Sequence, residues 1–313
     1  MKKLIIALIV LALVGGGIYA FKNGLFTKNT TDYQDKTAVT PAPAPAPAPA
    51  PTPVAAPVDK TKTALGTSVE SRTITAYHYG SDEKAGAKEL LFVGGAHGGY
   101  EWNSVLVAYQ LMDYLKANPT SIPDGVRVTV IPVLNPDGLA KVVGTAGRFT
   151  EADVPTPIEK TIPGRYNANN VDLNRNFDCD WKATGVWQNT KVSGGGAAFS
   201  EPESKAFQAY VAAHKPDAVV EWFSSAGGVY SSHCGNAAIL AETTAITKVY
   251  ADAAGYPAHK NFDAYETSGD MTNWLAKNSI PAISVLLTNH NDTEWTKNQA
   301  GILALLKHFG PSR

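Results

Sequence analysis

Short apolar runs alternate with longer amphipathic runs from residue 64 onward, and this alternation restricts the fold of the 313-residue chain more than any other feature. The apolar runs have strand length, whereas the amphipathic runs have helical spacing. The predicted strands are Glu89–Val93, Val126–Val133, Ala218–Trp222 and Ala282–Leu287, and the predicted helices are Glu101–Asn118, Glu201–Ala213, Ala237–Ala254, Gly269–Lys277 and Glu294–Phe309. This order predicts an α/β domain over residues 64–313 with a largely buried sheet.

The first 26 residues have the pattern of an export segment. Lys2 and Lys3 precede an uncharged run at 4–20. The run is long enough for a signal sequence and close to the roughly 20 apolar residues that a membrane span needs. The lysines predict that the N-terminus stays in the cytoplasm. We therefore expect one apolar N-terminal helix, acting as a signal anchor or a cleaved signal peptide. The domain would then lie on the extracytoplasmic side of the cell membrane, or be secreted after cleavage.

Residues 27–63 are predicted to form a disordered, Pro/Ala-rich spacer. Proline alternates with alanine through most of Pro41–Pro57. Each proline fixes its own φ and disfavours helix at the residue before it, so the segment should be extended and semi-rigid. At roughly 3.1 Å per residue it would hold the domain on the order of 50 Å from a membrane.

Composition excludes some classes of partner and of site. The formal net charge of −1 gives no electrostatic basis for nucleic-acid binding. The two cysteines, Cys179 and Cys234, cannot form a disulfide-rich scaffold or a four-cysteine metal site. They predict either one disulfide in an oxidising compartment or two buried free thiols.

Two polar motifs contain candidate functional residues. The first, HGGYE, follows a predicted buried strand and places His97 and Glu101 at its carboxyl end. Ligands bind at such ends in α/β sheets, so the pair is a candidate for zinc binding, although a loop histidine and a helix-start glutamate are the simpler alternative. The second motif, GRYNANNVDLNRNF, contains Arg165, Asn174 and Arg175. Guanidinium groups bind carboxylates bidentately, and the alternative is a solvated loop.

The order of five motifs along the chain resembles their order in the zinc carboxypeptidase family. The motifs are HGGYE, NPDG, GRYNANNVDLNRNF, FSEPES and AYETSGDMTNWL. The resemblance covers about residues 70–310. It implies a mixed central sheet flanked by helices on both faces, a zinc cofactor, and peptide C-termini as partners. With the predicted anchor and spacer, these partners include cell-wall peptides.

The resemblance also implies roles for single residues. His97 and Glu101 match the first zinc ligands, although three residues separate them where the family has two, so a bulge is expected before the helix. Arg165 matches the catalytic arginine that polarises the scissile carbonyl and stabilises the oxyanion. Asn174 and Arg175 match the pair that grips the substrate's terminal carboxylate.

Tyr265, in AYETSG, matches the mobile tyrosine that closes over a bound peptide.

Two other positions depart from the family pattern. Phe223 stands where the second zinc histidine is expected, and Leu286 stands where the general-base glutamate is expected. Neither side chain binds metal or transfers a proton, so the sequence predicts a degenerate active site.

Three functional hypotheses remain open from the sequence. The domain recognises peptide C-termini with little or no turnover, or it is an active zinc carboxypeptidase that uses substitute residues, or it is a non-binding scaffold. The candidate substitutes are Glu221, His233, His290 and Glu294. The simpler interpretation of Glu221 is a charge at a sheet position with an unknown partner.

Overall fold

The computed structural model describes residues 61–81 and 86–311. The predicted apolar segment at 1–26 and all but the last three residues of the predicted spacer lie outside these ranges. The strands are β1 (Lys62–Thr67), β2 (Thr73–Gly80), β3 (Lys88–Val93), β4 (Val126–Ile131), β5 (Thr184–Trp187), β6 (Thr190–Ser193), β7 (Ala218–Ser224), β8 (Gly228–Ser231), β9 (Ala258–His259) and β10 (Ala282–Leu287). The α-helices are α1 (Trp102–Ala117), α2 (Pro136–Val143), α3 (Pro202–His214), α4 (Ala241–Ala254), α5 (Met271–Lys277) and α6 (Trp295–Phe309). Among the described residues, no helix is long and apolar enough to cross a membrane.

Eight of the strands form one mixed sheet in the order β1-β2-β4-β3-β7-β10-β8-β9. The central strands β4, β3, β7 and β10 run parallel to one another. Strand β2 is antiparallel to β4, and β8 is antiparallel to β10. The remaining strands, β5 and β6, form a separate hairpin. The carboxyl ends of the parallel strands therefore meet at one edge of the sheet, where ligands bind in open α/β sheets.

Helices cover both faces of the sheet, as expected. One apolar core packs α1, α4 and α6 against the sheet, and a second core packs α3 and α5 against the opposite face. Because side chains alternate along a strand, β7 contributes Val220 and Trp222 to the first core but Val219 and Phe223 to the second. This alternation determines which β7 side chains face the site described below.

The predicted strands and helices fall within a few residues of the observed ones, and β10 matches its predicted range. The NPDG motif, whose Asn, Pro and Gly are also typical of turns, is the start of α2. Asn135 caps this helix by accepting a hydrogen bond from Gly138 N at 2.8 Å, and Pro136 occupies the first helical turn, which lacks intrahelical partners for its N–H groups.

Candidate functional site

A cavity of about 380 Å³ opens at the carboxyl ends of β3, β7 and β10. This volume is typical of small-molecule sites. All six site residues predicted from the sequence line the cavity: His97, Glu101, Arg165, Asn174, Arg175 and Tyr265. Residues that are up to 168 positions apart in the chain thus meet in one place.

A glycine turn brings His97 and Glu101 together despite their three-residue spacing. Gly98 has φ of +46°, and a Cβ there would lie 2.6 Å from the carbonyl oxygen of Gly164. Only glycine tolerates that combination of conformation and close approach. Glu101 then occupies the position before α1, and its Oε1 lies 3.0 Å from His97 Nδ1. The extra residue is accommodated by a turn through Gly98 and Gly99, the two glycines that precede the helix.

Asp172 links His97 to Arg165 in a buried charge cluster. Its Oδ1 lies 3.2 Å from His97 Nε2, while its Oδ2 accepts hydrogen bonds from Arg165 Nε and Nη2 at 3.0 and 2.8 Å. Burial alone would raise the pKa of Asp172, but Arg165 and His97 outweigh it and hold that pKa well below its usual range. Sequence reasoning missed Asp172, although its place two residues before Asn174 in DLNR was an available signal.

The pKa of His97 is raised. Burial and the Arg165 charge act to lower it, but the carboxylates of Glu101 and Asp172 outweigh both. Neither ring nitrogen makes a well-aligned hydrogen bond, and Glu101 Oε2 has no partner among the described residues. His97 Nδ1 and the Glu101 carboxylate therefore fit two ligands of a metal, and Asp172 orients the imidazole through the other ring nitrogen, Nε2.

Phe223 occupies the place where a third ligand is needed. Its ring centroid lies 5.2 Å from that of His97, and it pairs in register with Leu286 of the neighbouring parallel strand. Both side chains line the cavity. Catalytic zinc sites use three protein ligands. Within 61–81 and 86–311, the one group of three potential ligands is Cys179, Asp180 and Cys234, and its cysteines form a disulfide. The residues present at His97 therefore do not fit a catalytic zinc ion.

Arg175 and Asn174 are buried and pre-positioned, not solvated. Arg175 donates from Nη1 to the Asn174 carbonyl at 2.6 Å, and from Nε and Nη2 to the Val186 carbonyl at 3.2 and 2.8 Å. A guanidinium carries five N–H groups, so two remain for a ligand. The Asn174 side chain donates to Asp270 at 2.9 Å and accepts from Met271 N at 2.9 Å.

Aromatic side chains form the wall of the cavity around the arginines. The Arg165 guanidinium lies 4.5 Å from the Trp187 ring centroid, and Trp187 packs edge-on against Tyr100 at 5.1 Å. Half-buried Tyr265 lies 6.0 Å from the Arg175 guanidinium, and burial raises its pKa. Trp187 gave no signal in the sequence, because only the β5–β6 hairpin brings it here.

The other candidate substitutes do not complete a metal site. His233 lines the cavity, but its Nδ1 lies 2.9 Å from a backbone carbonyl. Glu294 accepts hydrogen bonds from the Thr288 backbone and hydroxyl at 2.7 and 2.8 Å, so its role is local. His290 packs on Tyr100 at 4.7 Å, and burial lowers its pKa.

Cys179 and Cys234 form a disulfide, with their Cα atoms 5.7 Å apart. This confirms the first of the two states expected from the sequence. The bond joins the loop after Arg175 to the loop after β8, and Cys179 lines the cavity. One wall of the cavity is therefore covalently cross-linked.

Fold and site together define a class of protein, and comparisons with known proteins agree on it. Residues 59–302 match the family model described as zinc carboxypeptidase. The chain therefore belongs to the zinc carboxypeptidase family.

Curated relatives match over part of their length. Metallocarboxypeptidase A of Trichophyton tonsurans is 34% identical over 131 residues, covering 40% of this chain and 29% of that protein. Carboxypeptidase D of Mus musculus is 31% identical over 123 residues, covering 36% of this chain and 8% of that protein. The chain thus aligns with less than a third of these relatives' lengths.

Solved structures share the fold. Carboxypeptidase A from Helicoverpa armigera has a TM-score of 0.61 at 18% identity, covering 79% of this chain and 68% of that one. Murein-tripeptide amidase MpaA from Escherichia coli O157 has a TM-score of 0.54 at 20% identity, and the alignment covers 80% of this chain and 93% of that one. At these identities the likeness concerns the fold alone.

Proposed function

We propose that this domain recognises the free C-terminal carboxylate of a peptide and hydrolyses the peptide poorly or not at all. The observation that carries the proposal is the contrast within one cavity. Asn174 and Arg175, the pair for carboxylate recognition, are present, whereas Phe223 and Leu286 replace the groups for chemistry. The alternatives are an active enzyme with substitute residues and a non-binding scaffold.

Recognition is supported by how Arg175 is held. The side chain is 1% exposed yet lines the cavity, and backbone carbonyls fix its orientation. A guanidinium ordered in advance loses little conformational entropy when a carboxylate binds to its two remaining N–H groups. A scaffold without a ligand has no need of a buried, fixed cation at a cavity wall.

Impaired catalysis is supported by the two apolar residues of the cavity, Phe223 and Leu286. Loss of a positioned base removes roughly two to four orders of magnitude in rate. Leu286 carries no titratable atom, and no third described His, Cys, Asp or Glu lies close enough to both His97 and Glu101 to share a metal ion with them. Arg165 remains positioned to bind a carbonyl oxygen, but it has no partner group to activate water.

The partner and location are also part of the proposal. Peptide C-termini, including those of cell-wall peptides, fit the retained carboxylate site, and one fold relative is a murein-tripeptide amidase. Export and tethering rest on the 1–26 segment and the Pro/Ala spacer. The disulfide supports an oxidising compartment outside the cytoplasm.

Binding of a peptide acid and of its C-terminal amide by the full chain tests the proposal. We expect the acid to bind at least tenfold more tightly in calorimetric titration, and Arg175→Lys to remove most of that difference, because hydrogen bonds to charged groups contribute about 1.5–3 kcal/mol. Arg148→Lys is the matched control, since Arg148 pairs with Asp113 on the surface. Equal binding of acid and amide would favour the scaffold, and steady release of the C-terminal residue would favour the enzyme.

A further inference from the structure

Three potential metal ligands meet at one wall of the cavity, and His97 is not among them. The sulfur atoms of Cys179 and Cys234 and a carboxylate oxygen of Asp180 all lie within 4.8 Å of one another. Cys179 and Asp180 line the cavity. The two sulfur atoms are joined in a disulfide, and only a thiolate is a metal ligand, so the group binds no metal in this redox state.

The Asp180 carboxylate is available as a ligand. It is exposed, and it forms no hydrogen bond or ion pair with any residue that the structure describes. Asp178, two positions earlier, instead pairs with Lys277 at 3.0 Å. The Asp180 carboxylate lies against Gly235, where an added Cβ would be 3.4 Å from its Oδ2. Because Gly235 directly follows Cys234, the acid lies beside the cysteines and not beside a surface cation.

Contacts other than the disulfide hold the Cys179 loop in place. The Cys179 carbonyl accepts a hydrogen bond from Gly269 N at 2.7 Å, and Phe177 N donates to the Gly269 carbonyl at 3.0 Å. Cys179 is also buried, with 2% of its surface exposed. The position of this loop therefore does not depend on the bond to Cys234.

The Cys234 loop is held in the same way. His233 N donates to the Asn273 side chain at 3.1 Å, and the Ser232 hydroxyl donates to the Ala282 carbonyl at 2.7 Å. The Cα atoms of the two cysteines, 5.7 Å apart, therefore stay close when the sulfur–sulfur bond is open. Two thiolates bound to one tetrahedral zinc ion at about 2.3 Å lie roughly 3.8 Å apart, which side-chain rotation can reach from these Cα positions.

We infer that reduction of this disulfide converts the cavity wall into a site for a thiophilic divalent cation such as zinc, with Cys179, Cys234 and Asp180 as its ligands. Thiolates select zinc over magnesium and calcium, and three protein ligands can hold zinc with water in the fourth position. The inference uses neither the His97–Glu101 pair nor the proposed recognition of a carboxylate.

The change of redox state balances in electrons and protons. A dithiol reductant gives two electrons and two protons to the disulfide, which becomes two thiols while the reductant itself becomes a disulfide. Each cysteine loses its proton when zinc binds, so uptake of one ion releases up to two protons. Reoxidation removes both thiolates and therefore releases the ion. The site thus exists only in the reduced chain.

Zinc titration of the full chain in its two redox states tests the inference. One half of a metal-stripped sample is reduced with a water-soluble phosphine, which becomes its oxide while water supplies the oxygen and the two protons. We expect the reduced chain to bind one zinc ion per chain, roughly a hundredfold or more tightly than the oxidised chain, because only thiolates bind the metal. With cobalt in place of zinc, thiolate-to-cobalt charge-transfer absorption should be seen in the reduced chain alone.

Two neighbouring acids provide a matched pair of variants. In the reduced chain, Asp180→Asn should weaken zinc binding at least tenfold, since even groups that only orient metal ligands contribute about 10- to 100-fold to affinity. Asp178→Asn makes the same change of charge two positions away, at an exposed side chain that pairs with Lys277, and should leave the affinity unchanged. Cys234→Ser should remove tight binding.

Several results would overturn the inference. Equal zinc affinity in the two redox states would show that the thiolates are not the ligands. Binding by the reduced chain that is lost in His97→Ala would place the ion at the other pair, and an unchanged affinity in Asp180→Asn would exclude that acid. Near-ultraviolet circular dichroism reports whether the reduced chain is folded, and an unfolded reduced chain that zinc does not refold would also contradict the inference. Recognition of a carboxylate is measured separately, on the oxidised chain.

Discussion

Replacing Phe223 by histidine and Leu286 by glutamate in one chain is expected to create both stoichiometric zinc binding and release of C-terminal residues. The rest of the site is in place. His97 and Glu101 converge at 3.0 Å, and Asp172 orients the imidazole. The Phe223 ring stands 5.2 Å from that of His97. The two replacements lie side by side on parallel strands, so both new side chains face the same cavity.

The expected gain in the rate of C-terminal residue release is large, because the double variant restores both a third zinc ligand and a general base. Restoring a positioned base alone contributes roughly two to four orders of magnitude. Zinc content per chain and the rate of C-terminal residue release would be measured on the wild type, both single variants and the double variant. We expect Phe223→His alone to bind zinc with little turnover, and Leu286→Glu alone to do neither. A folded double variant without zinc would show that the retained residues are not arranged as described.

Asp172→Asn is expected to lower the free energy of unfolding by about 3–5 kcal/mol, although the two side chains have nearly the same shape. Asp172 is the carboxylate between two buried cationic groups, Arg165 and His97. Removing its charge leaves the Arg165 guanidinium buried without its closest counter-ion. Urea unfolding measures the change, and Asp252→Asn is the control, because Asp252 pairs with Lys248 on the surface and should change stability by less than about 1 kcal/mol.

The pH dependence of the Asp172→Asn effect has a definite sign. The folded protein holds the pKa of Asp172 far below the unfolded value of about 3.9. A depressed pKa contributes stability that is fully present above the unfolded pKa and is lost as pH falls below it. The difference between wild type and variant should therefore shrink as pH falls below about 4. A difference that grows as pH falls below about 4 would contradict the assigned charge state.

The sequence was most informative where a continuous apolar run or a clear helical spacing marks the element. The β10 run was predicted with its observed bounds because six consecutive buried residues lie in a parallel strand. The β5–β6 hairpin and the two-residue β9 were missed, since such short segments show no periodicity. The α2 helix was missed because Asn, Pro and Gly are typical both of turns and of helix starts.

The site shows the same division between sequence and structure. His97 and Arg175 could be singled out because they lie in ordered motifs, and strand ends bring those motifs together. Contacts between residues that are far apart in the sequence could not be predicted from the sequence alone. Trp187 reaches Arg165 through a hairpin, and the unpartnered state of Glu221 depends on every neighbour around it. Burial and partnership are properties of packing, so only the structure reveals them.

A zinc titration of the metal-stripped, wild-type full chain shows whether His97 and Glu101 still hold a metal ion. We expect no stoichiometric zinc binding that depends on His97, because Phe223 leaves the site with two converging donors where catalytic zinc uses three. One tightly bound zinc per chain, lost in His97→Ala, would contradict this expectation. It would mean that another side chain completes the metal site.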